Sequence, residues 1–195
     1  MHNLLYLFDS RVTAWVQAWP SWFYQPMIAI TNVGQPLTII LFASVMFIWS
    51  LWQGRTRLMT ASGVVLVTII VSTALKLILR RSRPETEYAA NMMYQTFSFP
   101  SGHSAAATVG FGFMAYIAWT ALPQPWNIVL CLAAIAFGLL VCVSRIYLGA
   151  HYPSDVVGGI LLGLVGLSII VFVVKPLSRK ISISSTILVP VRRFH

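Results

Sequence analysis

Polar residues in this chain fall in short clusters, separated by apolar stretches long enough to cross a lipid bilayer. Stretches at 59–79, 102–122, 127–146 and 155–174 each hold roughly 20 residues, the length a helix needs to span a hydrocarbon core. A fifth, 27–52, contains Gly34 and Pro36 just after Pro26, so its early part is expected to be broken. Ahead of it, Leu5, Phe8, Val12, Trp15 and Trp19 recur at steps of three and four, while Asp9, Arg11, Thr13 and Gln17 fall largely on other faces. This periodicity predicts an amphipathic helix over residues 4–19, too short and Trp-rich for a span and suited to the membrane interface. The pattern as a whole predicts an all-α fold, a polytopic membrane helical bundle with about five transmembrane helices behind an N-terminal interfacial helix.

Composition agrees. Of 195 residues, 58% are hydrophobic and 9% charged, and the mean hydropathy of +0.81 lies outside the range of soluble domains. The length predicts a single domain over 1–195, with an amphipathic segment at 1–25, a catalytic helical core at 27–175 and a basic cytoplasmic tail at 176–195. The net charge of +9 is carried at the ends of apolar segments, so the anionic partners expected are lipid headgroups and the bilayer, not nucleic acid. Cys131 and Cys142 lie roughly 16 Å apart along one helix, too far for a disulfide. The start of the chain lacks the charged region and cleavage site of a secretory signal, so it is expected to be retained.

Counting crossings places Arg55 and Arg57, the 123–126 turn and the basic tail on one side of the membrane, expected to be cytoplasmic. Lys76, Arg80, Arg81, Arg83 and Arg145 fall on the other, against the positive-inside preference, and functional cations account for the exception. The 81–101 and 145–154 loops share that outer face, so three polar clusters can converge there.

Lys76 ends a long uncharged run, where an ammonium needs water or a partner; taken alone it reads as a snorkelling lysine. Seven residues on, Arg83 precedes Pro84, which stops helix propagation. Arg80 and Arg81 read as headgroup contacts. Pro100-Ser101-Gly102-His103 opens an apolar helix, whose first-turn amides favour an anion such as a phosphate oxygen, with Ser101 also a natural N-cap. Ser144-Arg145 leads to His151 and, four residues later, Asp155, which can turn back toward the His151 ring. A carboxylate there would fix the imidazole tautomer and leave the other nitrogen as nucleophile. The plainer reading of Asp155 alone is an acid answering a helix dipole.

The combined pattern, K-x6-R-P, then P-S-G-H, then S-R-x5-H-x3-D, resembles the type 2 phosphatidic acid phosphatase family, metal-independent lipid phosphatases related to vanadium haloperoxidases and bacterial class A acid phosphatases. The resemblance runs from about residue 27 to 175. It implies that Lys76, Arg83 and Arg145 clamp phosphate oxygens, assisted by Ser101 and the Gly102 amide. It further implies that His151 is the nucleophile, that Asp155 orients it and that His103 protonates the departing oxygen, giving a phosphohistidine that water hydrolyses. No metal or other cofactor is implied. The candidate substrates are undecaprenyl diphosphate, phosphatidylglycerol phosphate and phosphatidic acid, with Gly102 leaning toward a phosphatidylglycerophosphatase-like branch. The implied setting is the bacterial inner membrane, with the site facing the periplasm or cell exterior. Many bacterial relatives carry a further spanning helix before the amphipathic segment, and this chain is expected to lack it.

Two other classes stay open at this level. A phosphotransferase would pass the phosphoryl group from His151 to another lipid. A transporter or headgroup-binding protein would show polar residues at mid-membrane, for which Thr68, Ser72 and Thr73 are the mild hints. The preferred lipid and the oligomeric state are not legible.

Overall fold

The computed structural model describes residues 2–92 and 97–173. The expected basic tail at 176–195 lies outside the described residues. Helix α1 (His2–Gln17) is followed by a 3-10 turn (Ser21–Phe23), α2 (Tyr24–Val33), α3 (Pro36–Trp52), α4 (Thr56–Leu79), α5 (Glu87–Ala90), α6 (Gly102–Ala121), α7 (Trp126–Tyr147) and α8 (Pro153–Val173). Five stretches are long and apolar enough to cross a membrane, namely Ser21–Trp52, Thr56–Leu79, Gly102–Ala121, Trp126–Tyr147 and Pro153–Phe172. The first span is broken where the sequence predicts: α2 ends at Val33, and Pro36, whose missing N–H costs nothing at a first helical position, restarts the chain as α3.

The core is built where α3, α4, α6 and α8 meet, around Ile39, Ala43, Val65, Ile69, Val109, Phe113 and Ile170. Large apolar residues such as Ile70, Ile78, Leu132, Leu161 and Phe172 stay exposed, as befits helices whose outer surfaces face acyl chains. Helix α6 is central, packing against α3, α4, α7 and α8. Its approach to α8 is backbone-close: a Cβ on Gly159 would lie 2.5 Å from the Ser101 carbonyl oxygen, and one on Gly163 would lie 2.9 Å from that of Ala105. Small residues four apart are what permit such contact between membrane helices.

Helix α1 turns its faces the opposite way from a helix in water. Asp9 and Val16 are buried against the rest of the chain, whereas Leu4, Leu5, Phe8 and Trp15 are exposed. Val16 packs with Cys142, Ile146 and Val156, the C-terminal end of α7 and the N-terminal end of α8. The stripe of Leu5, Phe8 and Trp15 is thus the outward face, and the acid expected on another face is the one that docks.

Candidate active site

All three polar clusters lie at the same end of the bundle. Helix α4 stops at Leu79, where Arg80 adopts a left-handed conformation (φ 49°) and its N–H closes on the Lys76 carbonyl. Arg83 therefore lies beyond the helix. Its guanidinium donates to the Ala150 carbonyl (2.9 Å) and approaches His151 Nε2 at 3.3 Å. Lys76 is buried, not snorkelling: its ammonium donates to the carbonyls of Phe97 (2.9 Å) and Ser98 (3.3 Å). It also sits against the start of α6, since a Cβ on Gly102 would come 3.5 Å from Lys76 Cε.

Ser101 caps α6, its hydroxyl accepting from the Ser104 N–H (3.4 Å) and the Ser104 hydroxyl (3.0 Å). Its own N–H donates to the Asp155 carbonyl at 2.9 Å, which ties the α6 and α8 N-termini together. The Gly102 and His103 amides occupy the first turn, where N–H groups have no carbonyl partner within the helix. His103, the second residue of α6, is half-buried at the same end of the helix.

Arg145 is 1% exposed, the largest fully buried side chain. Its guanidinium donates to Thr31 Oγ1 on α2 (2.8 Å) and reaches Tyr88 on α5 (3.5 Å), while its buried Nε has no partner among the described residues. The turn that follows depends on Gly149 at φ +71°, a conformation that L side chains rarely adopt. Thr86, the N-cap of α5, donates to the Gly149 carbonyl at 2.9 Å and so ties that short helix to the α7–α8 turn.

His151 and Asp155 are 2% and 0% exposed. The carboxylate turns back toward the ring, but Nδ1 and Oδ2 stand 3.6 Å apart, beyond hydrogen-bond reach. Ser98 fills the gap: its Oγ lies 3.2 Å from His151 Nδ1 and donates to Asp155 Oδ2. One hydroxyl proton serves the carboxylate, so Nδ1 must carry the proton that Oγ accepts, and Nε2 is left with its lone pair. Asp155 Oδ2 also accepts the Tyr152 N–H (2.9 Å), an N-cap contact, and Oδ1 accepts from Arg81 at 2.7 Å. The helix-dipole reading and the imidazole-partner reading thus both hold for this side chain.

Burial pushes His151 well below its ordinary pKa, and the cations of Arg145, Arg83 and Lys76 push it the same way, so the ring is neutral at physiological pH. Burial and then Arg145 also lower Arg83, partly countered by Asp155. At Arg81 burial acts downward but is outweighed by Asp9 and Asp155, which hold it above its usual value.

The eight residues singled out from sequence thus meet in one region. Sequence reasoning missed Ser98, Thr31 and Tyr88, and assigned Arg81 to headgroups although it bonds Asp155. None of these sits in a pattern of its own; the bridging position of Ser98 exists only once the Phe97 and Ser98 carbonyls lie against Lys76 of α4. A cavity of about 330 Å³ beside Arg81 and Arg83, lined also by Pro84, Thr86 and Phe97, adjoins the site.

A family model, the PAP2 superfamily, matches residues 57–179. Phosphatidylglycerophosphatase B of Bacillus subtilis is 33% identical over 168 residues, 82% of this chain and 77% of that protein. The putative undecaprenyl-diphosphatase YbjG of Escherichia coli is 30% identical over 135 residues, 67% of this chain and 64% of that one. Among solved structures, a transmembrane PAP2-type phosphatidylglycerolphosphate phosphatase from Bacillus subtilis superposes with a TM-score of 0.72 at 27% identity, covering 91% of this chain and 90% of that chain.

Proposed function

The chain belongs to the PAP2 superfamily as a multi-pass membrane protein and lipid phosphatase, and from that premise we propose that it dephosphorylates phosphatidylglycerol phosphate through a phosphohistidine on His151. The observation that carries the mechanism is the hydrogen-bonded line Asp155–Ser98–His151, which ends on Nε2 within 3.3 Å of Arg83. A neutral imidazole with a fixed tautomer is a nucleophile, and the surrounding cations are what a phosphoryl group requires.

In this reading the substrate phosphate takes the Arg83 N–H now directed at Nε2, and its other oxygens are met by Lys76, Arg145, the Gly102 amide and the Ser101 hydroxyl. Nε2 attacks phosphorus as the bond to the lipid oxygen breaks, and that oxygen takes a proton from His103. Asp155, through Ser98, stabilises the positive ring. Water then gives a proton to His103 and attacks phosphorus, releasing inorganic phosphate and restoring Nε2. The cations neutralise the transferring group's charge throughout.

The relatives named for phosphatidylglycerol phosphate support that substrate. Undecaprenyl diphosphate is the second reading, favoured by the Escherichia coli relative. The catalytic unit in this reading is one domain that includes α1–α3 as well as the family-matched region, because Thr31 holds Arg145. Arg55 and Arg57 are exposed at the opposite end of the bundle, which favours a bacterial inner membrane with the site on the outer face.

The test is phosphate release by detergent-purified protein in EDTA, comparing phosphatidylglycerol phosphate, undecaprenyl diphosphate and phosphatidic acid beside His151→Ala. Release that survives EDTA and vanishes in the variant is expected, fastest with phosphatidylglycerol phosphate. Release by His151→Ala at the wild-type rate would remove the phosphohistidine, and a labelled phosphoenzyme that forms without phosphate release would redirect the reading to phosphotransfer.

A further inference from the structure

Two carboxylates in this molecule share one guanidinium, and they belong to elements far apart in sequence. Arg81 Nη2 donates to Asp9 Oδ2 on α1 at 2.8 Å, and Nη1 donates to Asp155 Oδ1 on α8 at 2.7 Å. Both acids are buried, at 4% and 0% exposure. A second tie runs alongside: Ser154 donates to Asp9 through its N–H (2.8 Å) and hydroxyl (2.7 Å), and its Oγ lies 2.7 Å from Arg81 Nη1. The Tyr152 ring packs against the guanidinium, 4.4 Å from its carbon to the ring centroid. The guanidinium is fixed on both edges and one face.

We propose that Arg81 is a positioning residue for Asp155, and that Asp9 of the N-terminal helix holds it in place, so that a continuous line of bonded groups runs from α1 through Arg81, Asp155 and Ser98 to His151. The proposal rests on the phosphohistidine reading of the same site. Asp155 has two oxygens with two tasks. Oδ2 must face Ser98 to hold the imidazole, and it can do so reproducibly only if Oδ1 is held elsewhere; Arg81 holds it. Arg81, on an irregular segment after α4, in turn needs its other edge held, and Asp9 does that. A planar five-donor fork presents donors on separate edges and so can hold two carboxylates on different sides in fixed geometry, whereas a lysine's compact ammonium lacks that span.

Asp9 is one attachment of α1 among several. Val16 packs into the cluster with Cys142, Ile146 and Val156, Gln17 donates to the Ile146 carbonyl (3.2 Å), and the Tyr147 hydroxyl donates to the Pro20 carbonyl (2.9 Å). Weakening the Asp9–Arg81 bond therefore disturbs the fork without releasing the helix.

The experiment uses the full chain in detergent with phosphatidylglycerol phosphate, comparing wild type, Asp9→Asn, Arg81→Met, Arg81→Lys and His151→Ala. kcat is expressed per phosphorylatable molecule, counted by phosphohistidine trapping at saturation, and unfolding temperature is recorded for each. A group that positions another is expected to lower kcat with KM within twofold: about a hundredfold for Arg81→Met and about tenfold for Asp9→Asn, since small misplacements near chemistry have effects of this size. Arg81→Lys should recover only part of the loss, because an ammonium keeps the charge but not the fork that fixes both carboxylates. The proposal is overturned if Arg81→Met and Asp9→Asn turn over at the wild-type rate per molecule while melting earlier, which is a structural bridge alone, or if only KM moves. Wild-type protein that releases no phosphate, or releases it equally with His151→Ala, would instead strike the functional reading beneath.

Discussion

Ser98→Ala is the substitution on which the geometry bears most directly. Among the described residues the Ser98 hydroxyl joins His151 Nδ1, at 3.2 Å, to Asp155, and without it those two groups face each other across 3.6 Å. The main chain at this position has duties that alanine keeps: its N–H donates to the Arg81 carbonyl at 2.7 Å and its carbonyl receives Lys76 at 3.3 Å. The variant should therefore fold, with its unfolding temperature close to that of wild type. A hydrogen bond to a charged group is worth about 2 kcal/mol net. The charge on the imidazole appears only as Nε2 bonds to phosphorus, so this contribution belongs to the transition state and should fall on kcat. At 1.36 kcal/mol per factor of ten, the loss is about thirtyfold, with KM unchanged. Steady-state phosphate release in detergent micelles reads both parameters. A kcat within twofold of wild type would refute the relay, and a thirtyfold rise in KM at constant kcat would move Ser98 from the chemistry to substrate binding.

Two further outcomes follow from the packing and the charge. Gly159→Ala would drive a methyl to 2.5 Å from the Ser101 carbonyl oxygen, so it should lower the unfolding temperature, by an overpacking cost of about 1–3 kcal/mol, and activity with it. Gly63→Ala in α4, whose Cβ would meet Phe47 at an ordinary 3.6 Å, should melt no earlier than wild type in the same assay, so equal behaviour of the two would contradict the close seam. Burial and the Arg145, Arg83 and Lys76 cations hold His151 well below its ordinary pKa, so its ring should stay neutral as pH falls through 6.5, read from the imidazole signals by NMR with His151→Ala to assign them. A His151 titration centred at 6.5 or above would mean that burial and the Arg145, Arg83 and Lys76 cations do not act on the ring as described.

Spans were legible because bilayer crossing imposes length and apolarity together, and the break before Pro36 was legible because proline has a stereochemical rule. That the eight candidate residues gather at one end of the bundle was legible because three fixed spacings place them at helix ends on one side. What stayed hidden depends on chain reversal. Ser98 is one serine in an irregular segment, and nothing local says it will lie between residues 151 and 155. Arg81 stands in a basic run at a membrane edge, where most such residues meet headgroups; it bonds Asp155 because α4 stops at Leu79 and the chain turns away at left-handed Arg80. Asp9 was read off the apolar stripe correctly, but periodicity alone does not say which face of an interfacial helix meets protein. Thr31 and Tyr88 likewise owe their contacts with Arg145 to the packing of α2 and α5, not to spacing.

The glycine seam between α6 and α8 bears on how the enzyme experiences membranes of different thickness. A span that is too long for its bilayer adapts by tilting or by sliding along its neighbours. With Gly159 and Gly163 against the carbonyls of α6, and the Ser101 N–H bonded to the Asp155 carbonyl, sliding between these two helices is blocked. Thickness mismatch is then taken up by tilt of the pair as one body, so the spacing between the two helix ends that carry His103 and Asp155 is set by the protein and not by the length of the surrounding acyl chains.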